Sequence, residues 1–216
     1  MSRRNRELTT SIGCINTAGL NTTLMSTVGN HCEVWRTTRV LSRDGGALVV
    51  DRVIKCPRVM CSFPEVRVLQ RDYNELRTRL RDIVPAAMFV YTSVDGADNV
   101  LVIAETVQPW FNIANPTFED DAVPLLHALP KARMQLQVFL EAARAWHDEG
   151  KLIDLYGLDN LVLDVDRNVR YIDSFSVFFY EDLLEMFDEP DPHLRNRMDI
   201  SHRRLDYLED LLRASA

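Results

Sequence analysis

Apolar and polar residues alternate along much of the first half of the chain, with the two-residue period of strands that bury one face. Val and Thr are frequent in these segments, as they are in β-strands generally. The pattern predicts five strands, over residues 22–28, 32–41, 47–55, 88–94 and 99–107. Most of them are joined by short turns that contain Gly, which favours antiparallel pairing. The first half therefore predicts an antiparallel sheet, preceded by an irregular leader over residues 1–20.

One amphipathic helix interrupts these strands. Ser62 and Glu65 have the spacing of a capping box, which marks a helix start. Apolar residues then recur at spacings of four and three until Pro85 ends the pattern. The apolar stripe consists of Leu69, Tyr73, Leu76, Leu80 and Ile83. At about 100° per residue, Asp72 falls at the border of this stripe and Glu75 falls further toward solvent.

The second half is predicted to be mainly helical. Helical patterns cover residues 131–150, 177–187 and 200–213, and a linker with a short helix covers residues 108–130. Between the first two helices, the apolar runs 161–163 and 169–172 flank a polar turn over residues 164–168. Two short runs around such a turn are typical of a hairpin. Sheet and helices together predict the α+β class.

The ends of this hairpin carry candidate chemistry. Asn160 precedes its first strand and Asp173 follows its second strand, so we expect the two side chains to be neighbours. An amide oxygen and a carboxylate are hard oxygen ligands that suit Mg²⁺ better than Zn²⁺. The alternative is a surface hairpin that is merely flanked by polar residues.

These residues resemble the protein-kinase-like superfamily. In that family a catalytic-loop Asn and the Asp of the Asp-Phe-Gly motif bind the metals, and a hairpin separates them. Asn160 and Asp173 lie thirteen positions apart, which matches the usual separation. Asp154 precedes Asn160 as the family's catalytic Asp precedes its Asn. His147 and Gly150 resemble the His-x-x-Gly end of the helix that leads into the catalytic loop.

The resemblance extends to four residues of the first half. Lys55 ends the run Val53-Ile54-Lys55, which resembles the third-strand element whose Lys pairs with the α- and β-phosphates. It implies that Asp72 pairs with Lys55, although Asp72 also fits a solvated helix position. The turn at Gly29 would cover the nucleotide phosphates. The linker that contains Glu105 would bind adenine through its main chain.

The resemblance implies a two-lobed protein-kinase-like fold with a five-stranded antiparallel N-lobe over residues 1–107 and a reduced, mainly helical C-lobe over residues 108–216. It also implies an ATP- and Mg²⁺-dependent kinase that moves the γ-phosphoryl group to a hydroxyl of a protein or small-molecule acceptor. Asn160 and Asp173 would hold Mg²⁺, and Asp154 would accept the proton of the acceptor hydroxyl.

Departures from the family motifs support a second hypothesis, a pseudokinase that serves as a regulatory or binding module. The His-Arg-Asp motif reads Leu-Ile-Asp at Asp154, and Asp-Phe-Gly reads Asp-Ser-Phe at Asp173. Asp154 lies one position further from Asn160 than in the family motif, so an ungapped alignment puts Leu155 at the base position. A loop bulge at Gly157 would restore Asp154. A third hypothesis is an unrelated α+β adaptor.

Composition and charge indicate which binding partners and which cellular compartment to expect. The chain has 216 residues, a net charge of −7 and a pI near 5.3, which disfavours nucleic acid and anionic membranes as partners. No apolar run reaches the ~20 residues of a membrane helix, and the N-terminal arginines precede no apolar core. We therefore expect a cytoplasmic protein without membrane insertion. Cys14, Cys32, Cys56 and Cys61 have no zinc-site spacing, which favours reduced, packed thiols over a zinc site.

Overall fold

The computed structural model describes residues 5–7, 12–13, 21–26, 32–43, 46–186, 188 and 191–216. The chain divides into two compact units: residues 1–71 with 86–106, and residues 72–85 with 107–216. The sequence-based division into residues 1–107 and 108–216 assigns residues 72–85 to the first part, whereas these residues group with the second unit. The α+β class is confirmed.

The first unit contains an antiparallel sheet in the order β1-β2-β3-β4-β6-β5. Its strands are β1 (Asn5–Glu7), β2 (Asn21–Ser26), β3 (Cys32–Arg43), β4 (Gly46–Pro57), β5 (Ala87–Val94) and β6 (Ala97–Glu105). All five predicted strands are present, apart from residues 27–28, which lie outside the described part of the chain. The short strand β1 is an addition, because three polar residues carry no strand periodicity.

The core of this sheet follows from the alternation in the sequence. Trp35 of β3 and Ile54 of β4 face each other in the register, and both are buried. Ile12 and Leu101 complete the same buried cluster. Ile12 lies outside the strands, where it forms an isolated bridge with Val94. Burial of these side chains supplies the favourable free energy that holds the strands together.

Helix α1 (Phe63–Leu80) begins at the predicted capping box. The Glu65 carboxylate accepts hydrogen bonds from the Ser62 main-chain N–H, at 2.7 Å, and from the Ser62 hydroxyl. These bonds hold the pKa of Glu65 below its usual value. Tyr73, Leu76 and Leu80 of the predicted stripe are buried. Residues 63–71 of the helix group with the first unit and residues 72–80 with the second.

The second unit combines helices with short strands. Its helices are α2 (Glu119–Ala128), α3 (Pro130–Asp148), α4 (Glu181–Glu185) and α5 (Pro192–Ala214). Its strands are β7 (Pro109–Phe111), β8 (Lys151–Ile153), β9 (Leu161–Asp164), β10 (Val169–Tyr171) and β11 (Phe178–Tyr180). The strands pair in the orders β10-β9-β7 and β11-β8. The α3 stripe predicted as core, which includes Phe139 and Trp146, is fully buried.

Two predictions for the second unit are wrong. The helix expected over residues 177–187 is strand β11 followed by the short helix α4. Phe178, Phe179 and Tyr180 are aromatic residues with high strand propensity, and they pair with Ile153, Leu152 and Lys151 of β8. Helix α5 also begins earlier than expected, because Asp191 caps it and Pro192 occupies its first turn.

The described cysteines are reduced, as the sequence predicts. Cys32, Cys56 and Cys61 form no disulfide, and Cys14 lies outside the described residues. Burial, together with the charges of Glu33 and Asp95, raises the pKa of the Cys56 thiol to about 11. Burial also raises the pKa of Cys61.

Within the described ranges, no helix has the length and apolar character that crossing a bilayer requires.

Candidate functional site

The hairpin of β9 and β10 brings Asn160 and Asp173 to the same end. Leu161 pairs with Tyr171 at the last position of the ladder. One step further, the main-chain N–H of Ile172 donates to the carbonyl of Asn160 at 2.9 Å. Asp173 follows directly. The two oxygen-bearing side chains therefore leave adjacent strand ends, as the sequence pattern predicts.

The Asn160 side chain is held by the loop that precedes it. Its Nδ2 donates to the main-chain carbonyl of Asp154 at 3.1 Å, and its main-chain N–H donates to the carbonyl of Gly157 at 3.1 Å. A Cβ atom at Gly157 would lie only 2.3 Å from Asn160 Oδ1. Gly157 is therefore needed to make room for the Asn160 amide.

Asp154 is almost completely buried, with 5% of its side chain exposed. Its Oδ2 accepts a hydrogen bond from Arg197 Nη2 at 2.8 Å, and its Oδ1 accepts one from the main-chain N–H of Tyr156 at 2.8 Å. Its main-chain carbonyl accepts the Tyr171 hydroxyl at 2.9 Å as well as the Asn160 amide. Both carboxylate oxygens thus have protein donors.

The electrostatics of this site are dominated by burial and by two neighbouring carboxylates. Burial and the charge of Asp173 raise the pKa of Asp154, although the hydrogen bonds from Tyr156 and Arg197 oppose that rise. Burial, Asp173 and Asp154 raise the pKa of Tyr171 well above its usual value. Two carboxylates that repel each other in a poorly solvated site would be stabilised by a bound cation.

Asp173 is half-buried and forms a turn with the residues after it. Its Oδ1 accepts the main-chain N–H groups of Ser174 at 2.7 Å and Phe175 at 3.2 Å. These bonds fix the carboxylate at the end of β10. The Asp173 carboxylate and the Asn160 amide oxygen are oxygen ligands of the kind that Mg²⁺ binds.

Helix α5 supports the segment over residues 154–156. Arg197 binds Asp154, the Ser201 hydroxyl accepts the main-chain N–H of Leu155 at 3.1 Å, and Arg204 donates to the carbonyls of Leu155 and Tyr156. Leu155 itself is fully buried. Sequence reasoning missed this face of α5. The sequence feature that could have revealed this face is a polar stripe at spacings of four and three, which keep residues on one side of a helix. The stripe consists of Arg197, Ser201 and Arg204.

The far end of the hairpin is fixed by Asp164. Its Oδ1 accepts the main-chain N–H groups of Asp166 and Asn168, both at 2.9 Å, and its Oδ2 accepts Arg170 Nε at 2.8 Å. Burial alone would raise the pKa of Asp164, but these bonds and the Arg170 charge together lower it. The turn is thereby closed by a side chain that mimics a main-chain acceptor.

The other predicted site residues lie elsewhere in the chain. Lys55 is a half-buried residue of β4 that pairs in the register with Val34 and Val102. Glu105 ends β6 and binds the main chain of Ala86 twice, through its own N–H and through Oε2. Both belong to the first unit. Gly29 lies outside the described residues, so the phosphate-covering turn stays a prediction.

Helix α1 contradicts one alternative from the sequence, a solvated position for Asp72. Asp72 is buried, with 5% exposure, and groups with the second unit; its pairing with Lys55 stays a prediction. Glu75, which the sequence turned toward solvent, accepts Trp146 Nε1 at 2.8 Å and Lys151 Nζ at 2.9 Å. The Glu75 side chain is 29% exposed, so Glu75 lies further toward solvent than Asp72, as predicted. Its donors on α3 and β8 are not visible on a helical wheel.

Comparison with known proteins gives no family for this chain. No protein-family model matches it, and no curated protein matches its sequence. The interpretation of the site therefore rests on its own residues and their geometry.

Proposed function

We propose that this protein is an ATP- and Mg²⁺-dependent phosphotransferase with a protein-kinase-like arrangement of functional residues. The observation that carries the proposal is the hairpin end, where Asn160 and Asp173 lie on adjacent strand ends beside the Asp154 loop. Mg²⁺ is the cation that suits an amide oxygen and a carboxylate, and nucleotide phosphates complete its octahedral shell.

The charge balance of the hairpin end also supports a cation there. Burial, and after it the charge of Asp173, raises the pKa of Asp154. A magnesium ion bound by Asn160 and Asp173 would offset this repulsion and neutralise charge on a transferring phosphoryl group. This chain's own contribution is to orient the two ligands. The Asn160 amide donates to the Asp154 carbonyl, and the Asp173 carboxylate accepts from the following main-chain N–H.

The remaining roles come from the resemblance stated above. Lys55 is proposed to contact the α- and β-phosphates with Asp72 as its partner, and the linker at Glu105 is proposed to bind adenine through its main chain. Asp154 is proposed to accept the proton of the acceptor hydroxyl. The acceptor is a protein or a small molecule that carries such a hydroxyl.

One observation favours a second candidate, a nucleotide-binding module without transfer activity. A general base needs an oxygen that reaches the substrate. Arg197 and the Tyr156 main-chain N–H occupy both oxygens of Asp154, and its side chain is almost fully buried. In this candidate the Arg197–Asp154 pair is a structural support of the loop, and Asn160 and Asp173 still bind the metal.

Calorimetric titration with Mg-ATP tests the proposal. Wild type is expected to bind one nucleotide in a magnesium-dependent manner, and Asn160→Ala or Asp173→Asn is expected to abolish the magnesium dependence. The matched control is Asp166→Asn, an exposed carboxylate at the opposite end of the same hairpin. Folded wild type that binds no nucleotide at millimolar concentration would contradict both candidates.

Transfer of ³²P from labelled ATP separates the two candidates. The phosphotransferase predicts turnover that Asp154→Asn removes while nucleotide affinity stays within about twofold. The binding module predicts saturable nucleotide binding without turnover in wild type and in Asp154→Asn alike. Turnover that is equal in both proteins would exclude Asp154 as the base.

A further inference from the structure

A second group of side chains with metal-binding atoms lies apart from the hairpin end. His147 is in the last turn of α3, Glu181 begins α4, and His202 is in the middle of α5. One ligand atom from each residue lies within 4.8 Å of the other two. None of these residues has a role in the proposed magnesium site.

Glu181 lies between the two imidazoles. Its Oε2 is 3.0 Å from His147 Nδ1, and its Oε1 is 2.8 Å from His202 Nε2. The two rings meet edge to face, with centroids 5.5 Å apart. In a tetrahedral zinc site with bonds of about 2.0–2.1 Å, neighbouring ligand atoms lie about 3.4 Å apart. The two His–Glu separations are below this value, whereas the full set of three ligand atoms spans up to 4.8 Å and must contract to bind one ion.

Main-chain bonds hold two of the three positions, while the side chains keep room to move. The N–H of Glu181 donates to the carbonyl of Gly150 at 3.1 Å, and the N–H of Gly150 donates to the carbonyl of His147 at 2.9 Å. The side chains of His147 and His202 are 51% and 37% exposed. Because both imidazoles are partly exposed, water has access to a fourth position.

We propose that His147, Glu181 and His202 form a Zn²⁺ site whose fourth ligand is water. Two imidazoles and one carboxylate are a donor set typical of zinc, whereas Mg²⁺ and Ca²⁺ prefer oxygen ligands. A bound ion would tie the end of α3 to the start of α4 and to α5. The competing explanation is a hydrogen-bonded His-Glu-His group that binds no metal.

The first test uses the full chain, stripped of metal with a chelator and free of nucleotide. Titration with ZnCl₂ is expected to show one ion per chain and a rise in the thermal midpoint, since the ligand binds the native state. Cobalt(II) as a probe is expected to give the visible bands of a tetrahedral site without a thiolate charge-transfer band. A thiolate band would assign the ion to cysteine and overturn the proposal.

Variants locate the ion. His147→Ala and His202→Ala are each expected to weaken zinc binding by more than the roughly 10–100-fold that loss of an outer-shell partner costs. The matched control is His193→Ala, an exposed histidine in the first turn of α5, which is expected to bind zinc as wild type does.

Three results would overturn the site. These are no saturable zinc binding by wild type, equal affinity in wild type and both variants, and an equal loss in His193→Ala. Circular dichroism checks the fold of each variant. If one variant does not fold, the other variant and the wild-type cobalt spectrum decide the outcome. Nucleotide binding does not enter this test, so it stands or falls apart from the proposed phosphotransferase.

Discussion

Asp154 shows how much a residue's chemistry depends on partners that are distant in sequence. The sequence marks it as a candidate base because it precedes Asn160. Its actual environment is set by Arg197 on α5 and by Asp173 at the end of β10. Arg197 lies beyond three strands and a short helix, so no local pattern around Asp154 reveals it. The adjacency of Asn160 and Asp173 at one hairpin end was predictable, because turn and strand spacing alone determine which residues meet.

The pKa of Asp154 predicts a pH dependence of stability. Because burial and Asp173 raise that pKa, the native state holds a proton that the unfolded chain releases near pH 4. The stability of wild type relative to Asp154→Asn is therefore greatest below about pH 4 and falls as the pH rises through the raised pKa. Urea denaturation of both proteins across this range measures the difference.

Asp166→Asn is the control for that pH series, because the Asp166 side chain is exposed. Its stability relative to wild type is expected to show no comparable fall as the pH rises. A wild-type advantage over Asp154→Asn that grows with pH would mean that Arg197 lowers the pKa of Asp154 instead.

Gly157 predicts a coupling to Asn160. A methyl group at position 157 would clash with the Asn160 amide and break its bond to the Asp154 carbonyl. Gly157→Ala is expected to cost about 1–2 kcal/mol of unfolding free energy in wild type. In an Asn160→Ala background the clash is gone, so the same change is expected to be neutral or slightly stabilising. Urea denaturation of the four proteins gives the coupling energy, and additive effects would contradict the clash.

At the level of elements, predictability followed length and periodicity. Strands β2 to β6, α1, α3 and the β9–β10 hairpin are long or have clear turn signals, and all were expected. Strands β7, β8 and β11 have only three residues each, too few to show a period. Their pairing depends on partners far along the chain, as in β11 with β8. The local sequence pattern therefore led to a helix prediction for the β11 segment.

Glu75 gives a prediction at this scale, because it connects α1 to α3 and β8. Glu75→Ala removes the acceptor of the buried Trp146 N–H and the partner of Lys151. An unsatisfied buried donor costs about 1–3 kcal/mol, and we expect a loss of unfolding free energy in that range. Asn74→Ala, at an exposed neighbouring position of α1, is expected to change it by less than about 0.5 kcal/mol. Equal denaturation midpoints for both variants would contradict this role.

At the level of the whole molecule, the class of fold was predictable and the grouping of its parts was not. Alternation and helical periodicity report which residues are buried, and this was enough for an α+β protein. They do not report which element packs with which, so residues 72–85 were assigned to the sheet part although they group with the helical unit. Packing of this kind is set by side-chain partners such as Glu75 with Trp146.

The proposed activity predicts that a substitution in the sheet unit affects nucleotide binding. Lys55→Ala is expected to lower Mg-ATP affinity by about tenfold or more, because a cation that contacts the phosphates is lost. The variant is expected to keep the wild-type denaturation midpoint within a few degrees. Arg39→Ala, an exposed residue near the end of β3, is the control. Unchanged affinity in Lys55→Ala would remove Lys55 from the site.

Because its pKa is raised, the Cys56 thiol can report opening of the sheet unit through its rate of alkylation. With a pKa of about 11, only about one thiol in ten thousand is ionised at pH 7, and alkylating reagents attack the thiolate. Exposure to water in an opened state would return the pKa toward its ordinary value near 8.5 and speed the reaction by more than a hundredfold. The labelling rate of Cys56 therefore counts opening events of the β3–β4 ribbon, much as amide hydrogen exchange does. The protein carries this reporter without any dye, tag or substitution.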